Sequence, residues 1–162
     1  MRFPVRGGMA LAALALACSS GSGAATADPA VQREAIAAAV VRYQYRQFVY
    51  GTGEKLALCL SVQGDDGPAD PSPRLLKRLR TVPRLRPGSE CSSLDDQVVV
   101  TETGEPAVRL TVGAISWKRS DEVQVDAAYY RSEYSQARPT YRVVREHDGW
   151  VSLGPVMQLP VA

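Results

Sequence analysis

Apolar and polar positions alternate along this chain with two different periods. From Asp28 to Tyr50, the residues Ile36, Ala37, Val40, Val41, Tyr43 and Phe48 fall on one arc when placed at about 100° per residue, with Arg42 and Arg46 opposite. The pattern predicts an amphipathic helix that packs on a sheet. Asp28 supplies an N-cap oxygen and Pro29 a pre-set φ at the first helical position, while "GTG" at 51–53 ends the helix.

"KLALCLSVQ" (55–63) has the length of a buried strand, although periodicity alone does not separate it from a short helix. "GDDGPADPSP" follows as a loop of turn formers. Ser72-Pro73 then opens a short second helix running to about Thr81, with Leu75, Leu76 and Leu79 as its buried face. Pro83 and Pro87 forbid its continuation, so "VPRLRPGSEC" is expected to run extended over the surface to Cys91.

Beyond residue 107 the period changes to two. Val108, Leu110 and Val112 alternate with Arg109 and Thr111, and Gly113 marks a bulge before Ile115 and Trp117. Val123, Val125, Ala127 and Tyr129 alternate in the same way after a "KRSD" turn. "TYRVVRE" (140–146) and "WVSLGPVMQL" are two further strands, joined at the Asp-Gly of "HDGW". The order is helix, strand, helix, then four strands. That is an α+β fold: a long N-terminal helix on an antiparallel sheet that ends in a four-stranded meander.

The first 27 residues have a different grammar. Arg2 and Arg6 precede the apolar run "MALAALALA" (9–17), and small residues follow. This is the layout of an export signal, and nine apolar residues fall well short of the roughly 20 that a spanning helix needs. Two cleavage sites compete. "ATA" before Asp28 fits the ordinary A-x-A rule. "ALAC" (15–18) resembles the lipobox of bacterial lipoprotein precursors, with Ala15 where that family usually has Leu. The resemblance implies a lipid on Cys18 and a membrane anchor. The organisation expected is a signal peptide at 1–17, a Ser/Gly-rich tether at 18–27 and a single domain at 28–162.

Charge changes little except by exclusion. Nineteen Lys and Arg face seventeen Asp and Glu, but Arg2 and Arg6 belong to the leader, so the remaining chain is balanced. A global basic field that would draw nucleic acid is missing. Under either cut, Cys59 and Cys91 are the two cysteines left in the domain, and an oxidising compartment favours their pairing over two separate buried thiols. Closing that loop is worth roughly 3–4 kcal/mol in the chain-entropy account.

The element order, with a meander ending in "TYRVVREHDGWV", is similar to small secreted proteins of the NTF2-like, cone-shaped α+β type. That resemblance implies a curved sheet cradling the long helix, often with a pocket between them. It implies no single activity.

Candidate chemistry is sparse. His147 is the sole histidine and stands in a predicted turn, where a solvated residue is the ordinary case. Asp65, Asp66 and Asp70 lack the ordered spacing of a calcium loop, and Asp95-Asp96 reads as solvated loop. No metal or cofactor is expected, because the chain has one histidine, no C-x-x-C pair and no Gly-rich phosphate cradle. The sharpest positive feature is the stretch from Pro71 to Ser89, with six cations and no acid. Arg74, Lys77 and Arg78 share one helix face there. They offer an anion-binding surface, for anionic lipid, phosphorylated polymer or an acidic protein, against the plainer alternative of a solvated face. Tyr129, Tyr130 and Tyr141 either pack the meander or line the pocket that the resemblance implies. The expectation is an exported, lipid-anchored, non-catalytic binding domain of the cell envelope. The competing reading is a soluble exported domain with a small-molecule pocket.

Overall fold

The computed structural model describes residues 28–52 and 56–156, with side chains omitted for 48–52. The leader, Cys18, the tether, the Phe48 side chain, Gly53 and the strand positions 157–159 lie outside the described residues. Helix α1 (Pro29–Thr52) begins as the caps require: the Asp28 carboxylate accepts the Ala30 N–H at 2.9 Å. Its buried side comprises Ile36 to Val41, with Arg42 and Arg46 exposed. Gln44, a polar residue that falls within the apolar arc, is also buried.

The strands are β1 (Ala57–Gly64), β2 (Gly67–Ala69), β3 (Leu85–Pro87), β4 (Cys91–Leu94), β5 (Gln97–Val100), β6 (Ala107–Arg119), β7 (Glu122–Ser132), β8 (Ser135–Ala137), β9 (Thr140–Glu146) and β10 (Gly149–Pro155). The short helix α2 (Pro73–Arg78) lies between β2 and β3, and a 3-10 turn (Gly88–Glu90) precedes β4. The main sheet runs β10-β9-β7-β6-β1-β2, with β3 also beside β1 and β8 beside β7. The fold is α+β with one long helix and one short one.

The four-stranded meander is present as β6, β7, β9 and β10, each antiparallel to its neighbour. Its bulge falls where Gly113 predicts one, between Val112 and Ile115. A Cβ on Gly113 would stand 3.0 Å from the Asp126 carbonyl oxygen, so the close strand approach suits glycine.

The sheet as a whole is mixed, which corrects the antiparallel expectation. β1 runs parallel to β6, with Leu60 opposite Leu110, and parallel to β3, with Cys59 opposite Arg86. From β1 the chain passes through α2 and the β4–β5 hairpin before re-entering beside β1 in the same direction. Side-chain alternation is identical in the two strand orientations, so the pattern that located β1 and β6 carried no sign of their direction. The segment expected to skirt the surface also pairs, through β3.

The β4–β5 hairpin forms a second, two-stranded sheet. Its turn is Asp95-Asp96, with φ of +47° and +62°, the positive pair that a two-residue hairpin turn of this hand requires. Asp65-Asp66 occupies the equivalent place between β1 and β2. His147-Asp148 does so between β9 and β10, one residue earlier than the Asp-Gly reading, and Gly149 starts the return strand at φ +134°.

The two faces of the main sheet are covered differently. Beneath α1 and α2 lies the large core, with Ile36, Val40, Leu58, Leu110, Val125 and Leu79 among its fully buried members. On the other face a small cluster of Ala57, Cys59, Cys91, Val98, Val100 and Ala107 sits beneath the hairpin. The Cys59–Cys91 disulfide, with Cα atoms 6.2 Å apart, crosses that cluster. At one end of the sheet Trp117 and Trp150 meet edge to face at 5.6 Å.

Candidate functional site

Helix α2 is too short to stand alone and is held by its partners. Ser72 caps it, its hydroxyl accepting the Leu75 N–H at 3.1 Å. The same hydroxyl donates to Glu34 Oε1 at 2.6 Å, and Arg74 Nε donates to Glu34 Oε2 at 2.5 Å. At the other end, an Arg42 guanidinium nitrogen donates to the Arg78 carbonyl at 2.7 Å. Two side chains of α1 therefore grip both ends of α2. Leu75 and Leu79 are buried against the large core, which turns Arg74, Lys77 and Arg78 outward.

Those three cations and Arg80 line an open depression of about 420 Å³. The structure thus brings together all three residues expected on the anion-binding face. It adds Arg80 from the turn after α2, and Arg42 from the polar side of α1. Arg42 stands on the exposed helix face that the sequence pattern predicts, and only the fold sets it beside α2. Glu34, the acid that organises the site, gave no signal at all, being one charged residue among many.

Neutralisation within the basic segment is uneven. Arg74 pairs with Glu34, Arg84 with Glu105, and Arg86 with Glu90 at 3.4 Å. Lys77, Arg78 and Arg80 form no ion pair among the described residues. Half of the segment is therefore structural and half is uncommitted. Burial alone would push the Glu34 carboxyl up. The hydrogen bonds from Arg74 and Ser72, with the charges of Arg74 and Arg78, outweigh it and hold Glu34 below the ordinary carboxylate value. Glu34 accordingly stays ionised, and Arg74 is committed to it.

The three tyrosines do not converge. Tyr129 and Tyr141 belong to the helix side of the sheet, where Tyr141 meets Tyr43 edge to face at 5.6 Å. Burial pushes the Tyr141 phenol up, with the buried Gln44 side chain beside it acting in the opposite sense. Tyr130 projects to the other face, where its hydroxyl donates to the Asp96 carbonyl at 3.3 Å and props the hairpin. At this level Tyr43, Tyr129 and Tyr141 pack against the large core.

His147 is exposed in its turn. Asp70 binds Ser89 instead of a cation, accepting its N–H at 2.9 Å and its hydroxyl at 2.5 Å. Those bonds hold the Asp70 carboxyl below its usual range. Among the described residues no group of three His, Cys, Asp or Glu side chains is placed to hold a metal ion, and no helix is long and apolar enough to cross a membrane. A more enclosed hollow of about 270 Å³ lies between α1, α2 and the sheet, lined by Arg33, Glu34, Ala37, Val62, Leu75 and Ile115 among others. The open half of the outer sheet face forms hollows of about 550 and 470 Å³ beside Ser61, Arg109, Thr111, Asp126 and Arg138. No family model matches the chain, and neither does any curated protein or solved structure.

Proposed function

We propose that this chain is an exported cell-envelope protein, anchored by a lipid on Cys18, whose α+β domain is a non-catalytic binding module. The observation that carries the binding assignment is the cationic face of α2. Three neighbouring cations of the same segment are each matched to a carboxylate, whereas Lys77, Arg78 and Arg80 remain unmatched around one depression. Leaving three like charges close together costs repulsion, which an anionic partner relieves. The buried disulfide is in keeping with an oxidising compartment, and the leader supplies the route to it. The long helix on a sheet with a terminal meander supports an NTF2-like architecture as the setting, with a small hollow between helix and sheet beside Glu34.

Two measurements test this. Intact mass of the mature protein should show acyl chains on a polypeptide beginning at Cys18; an unmodified chain beginning at Asp28 removes the anchor. On phosphocellulose, the triple variant Lys77→Ser/Arg78→Ser/Arg80→Ser should elute at clearly lower salt than the parent. Identical elution would remove the binding face.

A further inference from the structure

The place where the domain would join its anchor lies toward the N-terminal end of α2, the short helix whose outer face carries the unmatched charge. Asp28 caps α1, and Glu34 follows six residues later, about 9 Å along the helix axis. Glu34 is the residue that holds Ser72 and Arg74, and so positions α2. The Asp28 charge acts on Arg74 directly, adding to the effect of Glu34 in holding the guanidinium protonated. The acids facing the patch are Asp28 and Glu34: Asp28 acts on Arg74, and Glu34 acts on Arg74 by contact and on Arg78 by charge. Lys77, Arg78 and Arg80 are left to face outward.

Covalent geometry sets the distance to the membrane. Ten peptide steps separate Cys18 from Asp28 and span at most about 35 Å at full extension. A lipid on Cys18 would keep the start of α1 within roughly one domain width of the headgroups. The cationic face runs from Arg74, beside Glu34, to Arg78, beside Arg42, so it lies within about 21 Å of that point along α1 and within reach of the headgroups. Confinement of this kind raises the effective concentration of the surface to the millimolar range, so a patch of modest intrinsic affinity suffices.

Resting on the lipid-anchor reading, we infer that the anionic partner of this face is the phospholipid surface of the leaflet that carries the anchor. The domain lies against that surface through Lys77, Arg78 and Arg80, supported by Arg42. It is held by two signals of different kinds, one covalent and one electrostatic. The outer sheet face, with Arg109 and Arg138, is then turned away from the bilayer, because α1 and α2 occupy the opposite side of the sheet.

The test uses the mature chain from Cys18, prepared without acylation so that the anchor cannot contribute. It is sedimented with vesicles of phosphatidylcholine alone, or with phosphatidylglycerol mixed in. Binding is expected only to the mixed vesicles and should weaken as salt rises. Lys77→Ser/Arg78→Ser/Arg80→Ser should lose about fivefold per residue, on the order of 100-fold in all. A charge-matched control, Lys118→Ser/Arg138→Ser/Arg145→Ser, should keep most of the binding. The near-UV signal of the Trp117–Trp150 pair verifies that each variant is folded. Equal binding to both vesicle types, or equal loss in both variants, overturns the inference. Retention on phosphocellulose without vesicle binding also overturns it, pointing to a protein or polymer partner while leaving the cationic binding face in place. If retention on phosphocellulose fails as well, both readings fall.

Discussion

The two faces of the main sheet are closed by different physics. The helix side buries a continuous set of Ile, Val and Leu side chains from α1, α2 and four strands. The hairpin side buries only small residues, Ala57, Ala107, Val98, Val100 and two cysteines, with Tyr130 half-buried against them. Burying a Leu or Ile contributes roughly 1.5–3 kcal/mol, whereas an alanine methyl contributes about 0.8. The hairpin also reaches the sheet through few side chains. A covalent link between Cys59 and Cys91 stands where a larger apolar cluster would otherwise be needed. Where large side chains are available the fold relies on area, and where they are not it relies on a cross-link.

The strongest way to break this contrast is to attack both sides at matched depth. Leu110→Ala, in the centre of the helix-side core, should lower unfolding free energy by about 2–5 kcal/mol with no local release of the hairpin. Chemical denaturation gives the magnitude. Removing the disulfide as Cys59→Ser/Cys91→Ser should cost roughly 2–4 kcal/mol. Here hydrogen exchange should show β4 and β5 opening well before β6 and β9. If the whole sheet exchanged together in both variants, the two faces would be one cooperative unit and the contrast would be lost.

Smaller effects sharpen the same picture. Gly154 adopts φ +109°, and a Cβ there would stand 2.7 Å from the Tyr43 hydroxyl, so Gly154→Ala should cost about 1–3 kcal/mol, read as a fall in Tm. Glu34→Gln should cost about 1 kcal/mol at neutral pH, since it loosens α2 without emptying the core. Its sign with pH is fixed. The folded carboxyl titrates below its ordinary value of 4.5, so its stabilisation is complete above that value and is lost as pH falls through the lowered one. The variant should therefore show a shallower acid limb than the parent in pH-dependent unfolding. Tyr130→Phe removes one long hydrogen bond to Asp96 and should cost under about 1 kcal/mol, visible as faster exchange at the β4–β5 turn.

What could be read from the sequence follows from what each signal encodes. Asp28-Pro29 and the arc through Ile36 and Val40 located α1, because capping and the 3.6-residue period are local properties. The strands of the meander were legible for the same reason. The direction of β1 was not, since parallel and antiparallel partners present the same alternation. The hairpin was missed because "CSSLDDQVVV" contains few large apolar residues and its turn is Asp-Asp, not the commoner Asn-Gly. Arg74, Lys77 and Arg78 stood out as a helix face with no acid near them in sequence. Which cations were already neutralised depended on Glu34, Glu90 and Glu105, two of them distant along the chain, and only the folded arrangement could tell them apart.

The pairing of β1 with β6 also bears on the order in which the molecule can assemble. Ala57 meets Ala107, and everything between them, from α2 to the β4–β5 hairpin, must be passed over before the central seam of the sheet can form. Contacts of such high sequence separation form slowly, because a long loop loses its freedom before any ladder compensates for it. The meander from β6 to β10 is made of neighbours and has no such delay. Refolding should therefore begin in the C-terminal half, with α1 and β1 docking last onto a sheet that already exists. With the cysteines joined beforehand, part of the long loop is closed in advance, so the oxidised chain should complete that final step faster than the reduced one.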